Sequence, residues 1–199
     1  MKKKIVLFLA IIILVYSIGG ICYIKFIYFD DSVKVNQNLD VIDEYEYSLK
    51  SNVSLLYKNE FKILKDNLNS DIDDEEYLKS VAKLYIIDLY SMNYKINKYD
   101  INTEFVYSSI VDNYVLNLQN TMYKYLEDNS DGDRNQILPE VKSIEVTEVQ
   151  DVKYNLNEKE LDAKKVSLKW DYVSDLGYNT EGEVTLVKQD NKYYVVEYK

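Results

Sequence analysis

Asp88 is the chain's most conspicuous polar residue. It lies in a stretch that is apolar nearly all round: Tyr77, Leu78, Val81, Leu84, Tyr85, Ile86, Ile87, Leu89 and Tyr90. A carboxyl group in such surroundings is driven toward its neutral form and seeks a partner, which is how proton donors and ligand anchors arise. Trp170, in the alternating run Val166, Leu168, Trp170, Tyr172, is the second candidate pocket residue. Acid–base catalysis needs a second positioned group, and no residue near Asp88 in sequence supplies one. The competing reading is structural for both. Asp88 is then an acid satisfied by a nearby tyrosine hydroxyl or left at an edge, and Trp170 is a core indole.

Two acidic stretches raise the question of a metal. Glu127, Asn129, Asp131, Asp133 and Asn135 alternate around Gly132. With Gly132 at the sixth place of a calcium loop, the twelfth place is Leu138, where a bidentate Glu belongs. Glu140 comes two residues late, and the first place is Glu rather than Asp. The competing reading is a solvated linker. Residues 71–76 are acidic except for Ile72, and they suit the positive end of a helix dipole better than a cation site. No nucleotide-binding loop is present, and no cofactor is expected. The 21 tyrosines are spread through the whole chain. They fit either core packing or a tyrosine-lined surface for a glycan, peptide or protein.

These residues need elements to hold them, and the first of those is apolar. Between Ile5 and Ile24 the only polar side chains are Tyr16, Ser17, Cys22 and Tyr23, with Lys2, Lys3 and Lys4 ahead of the run. Crossing a bilayer takes about 20 apolar residues, and basic residues stay on the cytoplasmic side. Residues 1–28 therefore read as cytoplasmic lysines and a single transmembrane anchor, 29–39 as a tether and 40–199 as a domain outside the cell membrane. The alternatives are cleavage or lipidation. Gly19-Gly20-Ile21-Cys22 lacks an Ala-x-Ala site, and Ile21 stands where a small residue should precede a lipid-modified cysteine.

The net charge is −10, and four of the 24 basic residues but none of the 34 acidic ones lie in the first 25 positions, so the remainder carries −14. That disfavours nucleic acid, which is bound by basic patches. It also disfavours lying flat on anionic lipid. The single cysteine, Cys22, allows no internal disulfide. Abundant Lys, Asn, Ile and Tyr with one arginine, Arg134, are what an AT-rich bacterial genome encodes.

Val41, Asp43, Tyr45, Tyr47 and Leu49 share one parity, all but Asp43 suit a strand face, and they predict one short extended segment. Helices are expected over 51–69, capped by Ser51 or Asn52, over 71–94, and over 109–127. From Val141 the period becomes two. Strands are expected from 141 toward 154, at 166–172, at 181–188 and at 193–198. Turns separate them at 156–162, 175–179 and 189–192. Helices first and an antiparallel meander last give an α+β fold, with about three helices on one face of about four strands.

This order, with the closing hairpin at 184–196, resembles the nuclear transport factor two-like, or cystatin-like, family, in which a turn before an aromatic feeds the final strand. The resemblance implies a cone: a curled sheet wrapped on its helices. Anchor plus outer cone is similar in layout to the inner-membrane scaffold of type IV secretion. It is also similar to single-pass membrane proteins of low-GC bacteria. Some cone relatives are enzymes built on a His/Asp pair, but this chain has no histidine. The expectation is a non-enzymatic binding or scaffold domain engaging another envelope protein or a second copy. The alternative is a small-ligand or cell-wall-fragment module with a tyrosine-lined pocket.

Overall fold

A computed structural model describes residues 38–156 and 158–199. The lysines and anchor, 1–28, and the tether up to 37 lie outside the described residues. Among the described residues no helix is long and apolar enough to cross a membrane.

The architecture is α+β. A hairpin of β1 (Asn38–Ile42) and β2 (Tyr47–Lys50) leads into helices α1 (Leu55–Leu68), α2 (Asp74–Tyr90) and α3 (Val111–Asn120). Strands β3 (Val141–Leu156), β4 (Lys159–Tyr172), β5 (Glu181–Gln189) and β6 (Lys192–Tyr198) then form one antiparallel sheet in sequence order. Asn38 and Leu39, at the end of the expected tether, already belong to β1.

Helix α2 is the hub. Leu78, Val81, Ala82, Leu84, Ile86 and Ile87 are all at most 1% exposed, so it packs on nearly every side. It lies across all four strands and carries α1 on its flank. Val166, Leu168, Trp170, Val184, Leu186 and Val195 meet it from the sheet in one continuous core. Each such buried aliphatic side chain contributes about 1.5–3 kcal/mol. Caps fix where the helices begin. Asp73 Oδ1 accepts from the backbone N–H groups of Glu75 (3.0 Å) and Glu76 (3.1 Å), and Ser54 Oγ from Tyr57 N–H (3.1 Å). Both are side chains satisfying the otherwise unpaired donors of a first turn. The first helix is thus capped by Ser54 rather than Ser51 or Asn52.

The second helix ends at Tyr90 rather than 94, and three further expectations are corrected. The extended segment around 41–49 is two strands, because a tight turn at Asp43–Tyr45 and a left-handed Glu46 (φ 54°) reverse the chain. The reversal buries Tyr45 and Tyr47 together, with their rings stacked at 6.2 Å. The third helix stops at Asn120 rather than 127. There the Asn120 side-chain amide and the Thr121 hydroxyl donate to the carbonyls of Leu116 (2.8 Å) and Asn117 (2.7 Å), and such back-bonding competes with the helical ladder. The chain beyond then turns Tyr123 inward onto the Leu89 carbonyl at 2.9 Å.

The expected turn at 156–162 is mostly strand: β3 and β4 remain paired out to Leu156 and Lys159, with Glu158 left-handed (φ 65°). This end of the hairpin projects beyond the helices, and its faces exchange polarity. Asp151, Lys153, Asp162 and Lys164 occupy the side that faces the core elsewhere, in two ion pairs. Val152, Tyr154, Leu161 and Ala163 make a second, smaller apolar cluster on the far side with Val187 and Val196. The turn before β6 is as expected: Asp190 and Asn191 are both left-handed (φ 50° and 64°), the geometry of a two-residue hairpin loop.

Candidate functional site

Helix α3 is short, and Leu118 is the one buried residue on it. It therefore stands off β6 instead of sealing against it. The space between them is a cleft of about 430 Å³, lined by Tyr85 and Leu89 of α2, Tyr114 and Leu118 of α3, and Val195 and Tyr198 of β6. That volume lies in the usual range for small-molecule sites. Asn113 and Asn117, one helical turn apart, form a polar rim.

The tyrosines give the cleft its chemistry. The rings of Tyr85 and Tyr114 meet at 6.1 Å, as do those of Tyr85 and Tyr198. The hydroxyls of Tyr90 and Tyr198 share a hydrogen bond of 2.7 Å. Burial pushes the phenol of Tyr114 well above its ordinary range, and Tyr85 beside it adds to the shift. Burial raises Tyr85 too, against a hydrogen bond with Tyr114. Tyr198 is raised by burial and then by its bond to Tyr90. All three stay protonated at neutral pH. They can donate and accept hydrogen bonds but do not serve as bases.

Asp88 and Trp170 are not brought together in this cleft. Lys95 Nζ donates to both carboxylate oxygens of Asp88 at 2.7 Å, and the two side chains are 13% and 6% exposed. The void beside them, bordered by Tyr57 and Ser91, is about 10 Å³, room for one water molecule at most. Trp170 is buried against the ring of Tyr90 at 5.0 Å, and its Nε1–H donates to the Tyr172 hydroxyl at 2.9 Å. Burial pushes that hydroxyl up to about 12. The indole thus stands behind the Tyr90 and Tyr198 pair at the cleft's edge, and it also borders a polar groove with Ile144 and Glu181.

The acidic loop is tied inward. The Arg134 guanidinium donates to the carbonyls of Lys95 and Asn93, each at 2.9 Å, and to that of Glu127 at 3.2 Å. Asp128 accepts from Ser130 N–H and Asn129 from Arg134 N–H. Among the described residues no three acidic, histidine or cysteine side chains come together as a metal site. Compared with known proteins, the chain matches no family model, no curated protein and no solved structure.

Proposed function

We propose that this chain is a non-enzymatic binding domain, held outside the cell membrane by residues 1–28, and that the cleft between α3 and β6 takes a small ligand. The observation that carries this reading is a cavity of about 430 Å³ with apolar walls and protonated tyrosine hydroxyls. Such a site suits a ligand with an apolar body and a few hydrogen-bonding groups, a cell-wall fragment among them. The register shifts in β3 and in β5 and β6 support a curled, cone-like sheet, since bulges bend strands.

The test uses a neutral apolar dye, N-phenyl-1-naphthylamine, titrated into the full-length chain in detergent and corrected for micelle binding. Saturable fluorescence is expected. Asn117→Trp, which plugs the mouth from the exposed rim, should weaken it about tenfold or more with Tm unchanged. Equal binding by the variant, or none that saturates, sinks the reading.

A second reading is favoured by the sheet's edges. Residues Phe105 and Tyr107 bond the backbone of Val195 on β6 at 2.7 and 2.9 Å, so that edge is partly covered. β3, with 16 residues, lies at the other edge, and among the described residues no strand pairs with its outer side. An open edge accepts an added strand, and this supports engagement of an envelope protein or a second copy. The negative charge of the domain supports the absence of nucleic acid among its partners.

A further inference from the structure

Lys192, the first residue of β6, has a setting that neither reading uses. It is 9% exposed. Its ammonium lies over the ring of Tyr47 at 4.4 Å and that of Tyr194 at 5.2 Å. Among the described residues this nitrogen has neither a hydrogen bond nor an ion pair. Every fully enclosed side-chain nitrogen or oxygen there is bonded, so this one reaches open space. Lys192 lines a cavity of about 300 Å³ with Glu46, Glu104, Tyr107, Gln189 and Tyr194.

The groups around that cavity define what fits. Glu104 is fixed by the backbone N–H of Ser48 at 3.0 Å and by its hydroxyl. Glu46 is exposed on a left-handed residue at the end of the β1–β2 turn. Tyr107 and Tyr194 meet edge to face at 5.8 Å, and both line the cavity beside the lysine. Burial lowers the affinity of Lys192 for its proton, and the fields of Glu46 and Glu104 only partly restore it.

Two carboxylates and one ammonium leave the lining net negative, so an anionic ligand is repelled. A cationic ligand meets the lysine. A hydroxyl both donates and accepts. It can take a hydrogen bond from Lys192 and give one to Glu46 or Glu104, which neither a carboxylate nor an ammonium can do. The tyrosine ring surface suits the C–H face of a pyranose. We propose that this cavity binds a neutral carbohydrate ring, with Lys192 as donor, Glu46 and Glu104 as acceptors, and Gln189 bridging at the rim.

The test is saturation-transfer NMR on the full-length chain in a detergent without a sugar headgroup. The probes are methyl glucoside, methyl N-acetylglucosaminide and cellobiose, with glucuronate and glucosamine as charged controls. At least one neutral probe should receive saturation, and both controls should bind more weakly. Lys192→Met keeps the stem on Tyr47, removes the donor and should weaken binding about tenfold. Gln189→Ala, at an exposed position, should weaken it without touching the core. Asn117→Trp should leave it unchanged, which separates this site from the cleft. The proposal falls if no neutral probe receives saturation, if glucuronate or glucosamine binds best, or if Gln189→Ala, and Lys192→Met where it folds, bind as the parent does.

Discussion

At the scale of single residues, the Asp88 and Lys95 pair is the clearest case of a charge needing its partner. Two largely buried charges at 2.7 Å offset their desolvation only while both are present. Asp88→Ala should therefore destabilise the domain by about 3–5 kcal/mol, while Asp88→Leu with Lys95→Met should recover most of that loss. Urea unfolding of the two variants checks this, and a loss below about 1 kcal/mol for Asp88→Ala would mean the pair behaves as an exposed one. The oddness of Asp88 is legible in the sequence; its partner is not. Lys95 falls in what reads as a connector, and only the turn at Met92–Tyr94 after α2 brings it back to the helix. The tyrosines teach the same lesson. Tyr47 and Tyr77 share a hydrogen bond of 3.0 Å, and Tyr77 accepts another from Tyr193 N–H. These hydroxyls are structural members of the core, not ornaments on phenylalanine, yet a one-dimensional pattern shows only an aromatic.

At the scale of elements, what is local was legible and what is mutual was not. The acidic opening of α2 is written in residues 71–76, and Asp73 caps it as such residues do. The end of α3 depends on two side chains turning back on carbonyls. The length of the β3–β4 hairpin depends on charged residues finding partners across it, so in the sequence residues 156–162 look like a turn. The cleft itself exists because α3 stands off the sheet. Tyr85, Tyr114, Leu118 and Tyr198 each read as apolar-face residues, and nothing in their spacing announces a gap. One link between elements makes a pH prediction. Asp74 at the start of α2 accepts from the Tyr193 hydroxyl at 2.7 Å and bonds Lys188 of β5. Burial pushes its carboxyl up, but the hydrogen bonds from Lys188 and Tyr193 outweigh that and hold it below its ordinary 3.8. A depressed acid contributes stability that is present above its unfolded value and lost as pH falls through the folded one. Asp74→Asn should therefore lower stability at neutral pH and shrink the extra loss seen below about pH 4. Unfolding midpoints compared from pH 6 to 3 decide it, and parallel curves for variant and parent would remove Asp74 from the acid response.

At the scale of the molecule, the two sheet edges are unequal, and among the described residues the longer one, β3, has no strand on its outer side. β3 is also nearly self-complementary. Laid antiparallel against a second β3 and centred on Val152, it places Asp151 opposite the partner's Lys153, and Lys153 opposite the partner's Asp151. Val152 then faces Val152, and Gln150 faces Tyr154. Opposite charges across a strand pair stabilise it and like charges destabilise it, each by about 0.2–1 kcal/mol. Edge pairing also satisfies backbone groups that water otherwise serves. Because the projecting hairpin carries apolar Val152, Tyr154 and Leu161 on its outer face, pairing would extend that face across two copies. We predict a weak dimer of the full-length chain in detergent, seen by sedimentation velocity as a concentration-dependent shift. Val152→Lys sets two ammonium groups against each other at the centre and should return the chain to monomer, while Tm falls little because Val152 is only half-buried. Exchanging the signs of the central pair together with their partners on β4, Asp151→Lys and Lys153→Asp with Lys164→Asp and Asp162→Lys, keeps the ion pairs within the hairpin and should preserve the dimer. A wild-type chain that stays monomeric at every concentration excludes self-pairing and leaves the open edge for a strand from a different protein. Loss of the dimer in the sign-exchanged variant would show that its contact lies elsewhere.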